Sequence, residues 1–245
     1  VETIVVLIHE GGLQTGTYGQ CTGISGPIVQ IAEQLHREID FIASGHTHQP
    51  YICNIPDPAG KPRMVTSASS FGRVVTESRI TINRRTGDVR RGSVKSTNHL
   101  VTRTVAKDPA QTAIIAKWTA LAAPLANRVV GSVTADIRRS SGRDSESSLA
   151  NLIADAQLAA TQAPGDGGAQ IALMNPGGVR ADVTFAATPT IPTDRDGTVT
   201  FGEAFNVQPF GNTLVTMNLT GAQVEAVLEE QAIATRSRPV LILGI

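Results

Sequence analysis

The sequence has few aromatic side chains, no excess charge of either sign and no long apolar run. Aromatic residues make up 4% of the 245 residues, which disfavours the base-stacking platforms of single-strand nucleic-acid binders. Twenty-one basic side chains balance 21 acidic ones, so the basic excess needed to bind a nucleic-acid polymer is missing. No apolar run approaches the roughly 20 residues that span a bilayer. With 41% hydrophobic residues, we expect one large or two ordinary globular domains.

Cysteine is also scarce. Cys21 and Cys53 fit no Cys-x-x-Cys pattern, which leaves a structural zinc site unsupported. The two thiols are either separate and buried or joined in one disulfide in an oxidising compartment. The residues alone leave both possibilities open.

Both ends of the sequence fall within predicted strands. The sequence begins at Val1, inside an apolar run, and residues 239–244 predict a strand that stops without a closing turn. No signal peptide is recognisable. We therefore expect an internal piece of a longer chain rather than a processed natural amino terminus.

The amino-terminal part predicts a strand, a loop, a helix and a second strand. The continuous apolar run at 3–8 predicts a strand buried on both faces. Helical spacing of apolar residues follows at 27–39, and residues 40–43 predict a short strand. Polar loops, His9–Gly12 and Ser44–His48, follow the two strands. In α/β sheets, ligands bind at that edge.

The middle of the chain predicts a change of domain. Residues 50–95 are β-rich, with a hairpin turn at 86–88, and residues 96–107 are polar and unpatterned. Asp108 and Pro109 are suited to begin a helix that runs to about Asn127. The predicted domains are residues 1–105, a linker helix at 106–127 and a second domain at 128–245.

The second domain alternates helices with strands, so the predicted fold class is α/β. Its segments are a helix at about 145–161, a strand at 170–174, a Gly-rich loop at 175–180, a strand at 197–201, an alternating pattern at 213–219, and a helix from a Thr220–Gln223 capping box to about Ala234.

Three of the five histidines follow predicted strands, namely His9, His46 and His48. Imidazole nitrogen is a preferred ligand of Zn²⁺, Mn²⁺ and Fe. We expect His36 and His99 to be ordinary core or surface histidines. The histidines after the strands are therefore candidate metal ligands.

These motifs resemble a known superfamily. Gly45–His48 (Gly-His-Thr-His), after the strand at 40–44, resembles the last metal-binding motif of calcineurin-like metallophosphoesterases, and Ile8–Gly11 resembles its preceding motif. The resemblance implies that His9 and His46 hold one divalent ion and that His48 holds its neighbour.

Three further motifs resemble the carboxyl-terminal domain of 5′-nucleotidases. They are Glu146–Ala156 (Glu-Ser-Ser-Leu-Ala-Asn-Leu-Ile-Ala-Asp-Ala), Asn175–Arg180 (Asn-Pro-Gly-Gly-Val-Arg) and Gln208–Leu214 (Gln-Pro-Phe-Gly-Asn-Thr-Leu). The resemblance covers nearly the whole chain. It implies the carboxyl-terminal part of a metallophosphoesterase αββα sandwich, a linker helix, and a mixed α/β 5′-nucleotidase domain, truncated here.

The resemblance also implies a set of substrate-binding residues: Arg143, Asn175, Gly178, Arg180 and Phe210. The glycines allow close approach of the backbone to a ligand, and a guanidinium can fork onto phosphate or ribose oxygens. Asn175 can hydrogen-bond a purine nitrogen, and Phe210 can stack on a base. A second stacking aromatic is expected beyond residue 245.

The upstream metal motifs of the superfamily do not precede the histidine motifs in this sequence. They are Asp-x-His, Gly-Asp and Gly-Asn-His-(Glu/Asp), and they supply the bridging Asp, an Asn ligand and the catalytic His–Asp pair. We therefore expect the catalytic dyad upstream and assign no catalytic residue here. A two-metal site needs both ions roughly 3.5–4 Å apart, so this segment is expected to be inactive alone.

The implied function is hydrolysis of nucleotide phosphate esters by a longer parent with two divalent ions such as Zn²⁺ or Mn²⁺. It would be of the 5′-nucleotidase type or the cyclic-nucleotide phosphodiesterase/3′-nucleotidase type. One alternative is a module that binds a nucleotide without hydrolysing it. Another is a structural protein whose Gly-His-Thr-His merely caps a strand. The substrate and oligomeric state stay open.

The resemblance further implies a secreted, periplasmic or cell-surface protein. The family is largely exported, which fits a Cys21–Cys53 disulfide between the loops that follow the two metal-motif strands.

Overall fold

The structure, a computed structural model, describes residues 3–139, 147–189, 191, 194–230 and the strand at 242–244. It divides into two compact units, Val1–Ala106 and Lys107–Ile245. Both mix helices with strands, so the α/β prediction is confirmed.

The elements of the first unit are β1 (Val5–Ile8), α1 (Pro27–Gln34), β2 (Phe41–Ser44), β3 (Pro50–Pro56), β4 (Pro62–Ala68), β5 (Val74–Arg79), a 3-10 turn (Arg91–Ser93) and β6 (Lys95–Leu100). Those of the second are α2 (Pro109–Ala126), β7 (Val129–Ser132), α3 (Ser148–Thr161), 3-10 turns at Pro164–Asp166 and Pro176–Gly178, β8 (Ala172–Met174), β9 (Thr198–Thr200), α4 (Phe201–Val207), α5 (Gly221–Glu229) and β10 (Ile242–Gly244).

The main sheet of the first unit has the strand order β1-β2-β4-β3. β1, β2 and β4 run parallel, whereas β3 returns antiparallel beside β4. The carboxyl ends of three strands therefore meet at one edge. α1 buries Ile28 and Ala32 against one face, where they meet Ile42, Tyr51 and Val65 in a hydrophobic core.

The prediction that the first strand is buried on both faces is wrong. Leu7 is 81% exposed and Val5 45% exposed, while Val6 and Ile8 pack on the core. The reason is position, because β1 is the edge strand of the described sheet and only one of its faces meets α1 and its neighbours.

The helix predicted at 27–39 ends early. Its last residue is Gln34, and Leu35 is already extended. The buried guanidinium of Arg63 accounts for this end, since it donates hydrogen bonds to the carbonyls of Ala32, Leu35, His36 and Ile39. These bonds satisfy carbonyls that a helix end and the following turn leave without partners.

A buried ionic cluster closes the opposite end of the sheet from the candidate loops. The guanidinium of Arg91 binds Asp40 at 3.0 Å and Asp57 at 2.7 Å. It also donates to the carbonyl of Arg37. Asp40 in turn accepts the amide of Ile4 at 2.9 Å. The cluster thus joins the start of the first strand to distant loops.

The segment at 96–107, predicted to be unpatterned, contains most of β6, which pairs antiparallel with β5. The strand was missed because this hairpin buries few side chains, Asn98 among them, so its sequence lacks the apolar residues that predict a strand. The turn predicted at 86–88 is present, with Gly87 at φ 74° and an isolated bridge between Ile82 and Val89.

Cys21 and Cys53 form a disulfide, with their Cα atoms 5.1 Å apart. The expected partners are therefore joined, but the placement differs from the prediction. Cys21 lies in the loop after β1, whereas Cys53 lies within β3 and not in a loop. The link ties the long loop at 9–26 to β3, an edge strand of the described sheet.

The first helix of the second unit, α2, begins at Pro109, which is the start predicted for that helix. The carboxylate of Asp108 caps it by accepting the amide of Gln111 at 2.8 Å. Apolar side chains of this helix are exposed, including Ile115 at 65% and Trp118 at 61%. No described helix combines the length and apolar character that crossing a membrane requires.

The core of the second unit lies beneath α3. Leu149, Ala150 and Ile153 pack against side chains of β8, the loop after it and α4, namely Met174, Val179, Val183 and Val207. α3 is capped by Ser147, and α4 and α5 each have a complete capping box. α5 ends at Glu229, and the rest of the helix predicted to about Ala234 lies outside the described residues.

The alternating pattern at 213–219 forms no strand. Its apolar side chains stay exposed, with Val215 at 73% and Met217 at 70%. A strand needs a neighbour to pair with, and β8 pairs instead with β10. Of the strand predicted at 239–244, the structure describes residues 242–244 as β10, and the rest lies outside the described residues.

Candidate functional site

The first candidate site lies at the carboxyl ends of β1 and β2. His9 directly follows β1, and the loop at 45–48 directly follows β2. Because the two strands are parallel neighbours, their histidines meet. Nε2 of His9 lies 3.3 Å from Nδ1 of His46. The ring of His48 instead contacts that of Phe71, with centroids 5.4 Å apart.

The two histidine loops interlock through their backbones. A Cβ on Gly11 would lie 2.2 Å from the carbonyl oxygen of Gly45 and 2.5 Å from Oγ1 of Thr47. Gly45 donates its amide to the carbonyl of Glu10 at 3.2 Å, and Thr47 donates its hydroxyl to that of Gly12 at 2.8 Å. The close approach of the two loop backbones therefore requires glycine at position 11. The hydroxyl of Thr47 holds the second loop against the first.

Strained backbone is concentrated beside these histidines. Among the described residues, four other than glycine have positive φ: His46 (64°), His48 (59°), Ser69 (62°) and Phe71 (59°). Each such residue costs about 1–3 kcal/mol, and such strain collects at functional sites. All four lie in the loops that follow the parallel neighbours β2 and β4. The second loop was not identified from the sequence, although Ser-Ser-Phe-Gly after a strand was an available signal.

A chain of hydrogen bonds supports the histidine loops from beneath. The amide of Gly12 donates to the hydroxyl of Tyr51 at 3.2 Å, which lies 2.5 Å from the hydroxyl of Ser44. Ser44 donates to the carbonyl of Thr66 at 2.9 Å, so Tyr51 is the donor to Ser44. Burial raises the pKa of Tyr51, and the amide of Gly12, which donates to the phenol oxygen, partly offsets that rise.

Tyr51 is fully buried and was not identified from the sequence. Its role depends on the pairing of β3 with β4, which brings it beneath loops that precede it by up to 39 residues. An aromatic residue shortly after Gly-His-Thr-His was the only local signal.

The facing nitrogens of His9 and His46 fit a shared metal ion. Two nitrogens that each lie about 2.0–2.1 Å from a tetrahedral Zn²⁺ are about 3.3 Å apart, which matches the observed 3.3 Å. Both imidazoles are exposed and open to further ligands. Within the described ranges, no three His, Cys, Asp or Glu side chains converge closely enough to hold a metal. A metal ion held by this pair would therefore need further ligands.

The second candidate site lies in the second unit, around the loop that follows β8. Arg180 donates from Nη1 to the carbonyl of Gly177 at 3.1 Å. Its guanidinium carbon lies 5.6 Å from the ring centre of Phe210, so the structure brings these two predicted residues together. Phe210 is 55% exposed and leaves ring surface for a ligand.

Asn175, Gly178 and Phe210 line a cavity of about 990 Å³ between α3, β8 and residues 208–219. A Cβ on Gly178 would lie 2.4 Å from Cε of Met174, so a larger residue would have to displace that side chain. The predicted residue Arg143 lies outside the described residues. Arg139, which was not selected from the sequence, donates to the carbonyls of Val179 and Arg180 and braces this loop.

Comparisons with known proteins agree with the motifs. The family model described as 5′-nucleotidase, C-terminal domain, matches residues 129–243. The cell wall protein Lmo0130 of Listeria monocytogenes is 30% identical and matches 100% of this chain and 32% of its own length. Endonuclease YhcR of Bacillus subtilis is 26% identical over 94% of this chain and 17% of its own length.

A solved structure is similar as well. The crystal structure of a 5′-nucleotidase precursor from Thermus thermophilus matches 89% of this chain and 43% of its own, with a TM-score of 0.56 and 27% identity. The chain therefore spans less than half the length of each of these relatives.

Proposed function

We propose that the protein containing this chain is a metal-dependent hydrolase of nucleotide phosphate esters, because residues 129–243 match the 5′-nucleotidase C-terminal domain and a solved 5′-nucleotidase precursor is similar to 89% of the chain. The observation that carries the proposal is the pair of facing imidazole nitrogens of His9 and His46, 3.3 Å apart at the carboxyl edge of parallel strands. That spacing suits two ligands of one ion.

In this proposal, His9 and His46 hold one divalent ion and His48 holds its neighbour. Such ions, when bound, supply a Lewis acid and an activated water for attack on phosphorus. The remaining ligands and the catalytic His–Asp pair are proposed to come from a preceding part of the protein. The interlocked backbones of the two loops hold His9 and His46 in place.

The second unit is proposed to recognise the nucleotide. Phe210 offers an exposed ring for stacking on the base, and Asn175 offers an amide for a ring nitrogen. Arg180, held against Phe210, and Arg143 are proposed to pair with phosphate or ribose oxygens. The substrate is a nucleotide of the 5′-nucleotidase type or of the cyclic-nucleotide phosphodiesterase/3′-nucleotidase type.

An extracellular, periplasmic or cell-surface location is proposed with this function. The Cys21–Cys53 disulfide supports it, because disulfides persist in oxidising compartments. A relative named as a cell wall protein also supports it.

A nucleotide-binding module without hydrolysis is the second candidate. In its favour, the cavity lined by Asn175, Gly178 and Phe210 is formed within the second unit alone.

The test is phosphate release from AMP with Mn²⁺ or Zn²⁺ and an EDTA control, in this chain and in the full-length protein. We expect metal-dependent release by the full-length protein and none by this chain. His46→Ala should lower both metal content and release, whereas His36→Ala, an exposed histidine away from the loops, should change neither.

AMP binding without release by either protein would favour the binding module. Release by this chain alone would refute the expectation that it lacks essential groups. Metal content that is unchanged in His46→Ala would refute the assignment of the histidine pair.

A further inference from the structure

A third loop opens at the same sheet edge as the two histidine loops. It comprises residues 69–73 and is called here the Phe71 loop. It follows β4, the parallel neighbour of β2. The carboxyl ends of parallel neighbours share an edge, so this loop stands next to the loop that carries His46 and His48.

Direct contacts join the Phe71 loop to His48. The hydroxyl of Ser69 donates to the carbonyl of His48 at 3.2 Å. The rings of Phe71 and His48 meet edge to face, with centroids 5.4 Å apart and an interplanar angle of 70°. His48, Phe71 and Ser69 all have positive φ. The two loops therefore form one continuous surface.

Phe71 is held outward on this surface, 74% exposed. An L residue with a bulky side chain rarely adopts φ near 60°. Because the side chain of Phe71 is exposed, burial of its ring does not offset the cost of this backbone conformation. The backbone anchors the loop from behind, since Arg73 donates its amide to the carbonyl of Ser70 and accepts the amide of Val101 at 2.9 Å.

Arg73 stands over this ring. Its guanidinium carbon lies 5.1 Å from the ring centre of Phe71, a cation–π arrangement. Arg73 makes no ion pair within the part of the chain that the structure describes. Arg79, at the far end of β5, is paired with Glu77 instead. An exposed guanidinium without a carboxylate among the described residues, oriented on an aromatic ring that contacts His48, is suited to an anion.

We propose that Arg73 binds a phosphate group of the substrate beside the histidine pair and that Phe71 positions its guanidinium. The proposal rests on the proposed function for the class of ligand, a nucleotide phosphate ester. A guanidinium presents two parallel N–H donors to phosphate oxygens. The competing explanation is that Phe71 only shields His48, as exposed apolar side chains are common on protein surfaces.

The test measures binding and turnover of AMP separately in the metal-loaded full-length protein. Calorimetry gives the Kd of AMP, inorganic phosphate and adenosine, and kinetics give KM and kcat. Arg73→Gln should raise the Kd and KM of AMP about 10- to 100-fold, the range expected for hydrogen bonds to a charged group. Affinity for adenosine, which has no phosphate, and metal content should stay unchanged.

Two further variants sharpen the result, and a third serves as the control. Phe71→Leu keeps an apolar side chain but removes the aromatic face, and should raise the Kd of AMP about two- to fivefold. Arg73→Lys keeps the charge but loses the fork, so it should fall between wild type and Arg73→Gln. Arg79→Gln, the control, removes an exposed arginine on the same hairpin and should leave the Kd of AMP at the wild-type value.

Several results would overturn the proposal. An unchanged Kd of AMP in Arg73→Gln, or an equal loss for adenosine, would remove phosphate recognition; loss of bound metal would place the effect in the histidine loops. If AMP is hydrolysed normally by Arg73→Gln, this proposal fails while the proposed function stands. If no nucleotide is hydrolysed but AMP binding still depends on Arg73, the proposed function fails and this proposal stands.

Discussion

Replacing Arg63 by methionine should strongly destabilise the first unit. Arg63 is fully buried, and its guanidinium serves carbonyls rather than a carboxylate. The bonds run to Ala32 at 2.5 Å, His36 at 2.7 Å, Ile39 at 2.8 Å and Leu35 at 3.3 Å. Methionine fills part of the space but leaves those carbonyls without their donor.

The magnitude follows from opposing effects. Three short bonds from a charged donor are worth about 1.5–3 kcal/mol each. The cost of burying the guanidinium disappears in the variant and offsets part of that loss. Burial also lowers the pKa of Arg63, which shows that the surroundings oppose its charge. We expect a net loss of about 3–5 kcal/mol, as for other broken buried networks.

Urea unfolding followed by circular dichroism measures this loss. Arg79→Met is the matched control, because Arg79 is exposed and should change stability by about 0.5 kcal/mol or less. A variant Arg63→Met as stable as the wild type would refute the reasoning. It would mean that the desolvation cost of the guanidinium equals everything its hydrogen bonds contribute.

Three further predictions concern the histidine loops and the ionic cluster. Gly11→Ala should separate the loops and lower metal binding by His9 and His46 in a metal titration, because its Cβ would meet Gly45; Gly19→Ala, which meets nothing within 4 Å, should not. Tyr51→Phe should destabilise the first unit by about 1–2 kcal/mol in thermal unfolding, since the Gly12 amide and the Ser44 hydroxyl lose their partner; Tyr18→Phe, at an exposed site, should be neutral, and an equally large effect there would contradict this reasoning. Burial tends to raise the pKa of Asp57, but the bonds from Lys61, Ala59 and Arg91 outweigh burial and lower it. Its contribution to stability should therefore be complete above the unfolded pKa of about 3.9 and lost as the pH falls through the lower folded value. Acid unfolding of Asp57→Asn should lack this component, and an unchanged pH profile would count against it.

Features fixed by neighbouring residues could be predicted from the sequence. Asp108 and Pro109 began α2 as expected, and Thr220 with Gln223 formed the capping box of α5. The Thr200–Glu203 box of α4 could have been found in the same way. The position of His9 and His46 after neighbouring strands was also predictable, because a short parallel unit brings such loops together.

Features that depend on distant partners could not be predicted. The prediction that β1 is buried on both faces was wrong because burial depends on what packs on each face, and the face with Val5 and Leu7 is exposed. The alternation at 213–219 lacks a strand to pair with. Arg63 and Tyr51 act on segments that local patterns cannot connect to them. The substrate and metal roles of the predicted site residues stay predictions.

The hydrogen-bond chain beneath the histidine loops has a consequence for proton movement. It begins at the amide of Gly12 and ends at the carbonyl of Thr66, so its direction is fixed by two backbone groups. An amide does not release its proton at ordinary pH, and a carbonyl does not retain one. The chain through Tyr51 and Ser44 is therefore closed to proton relay.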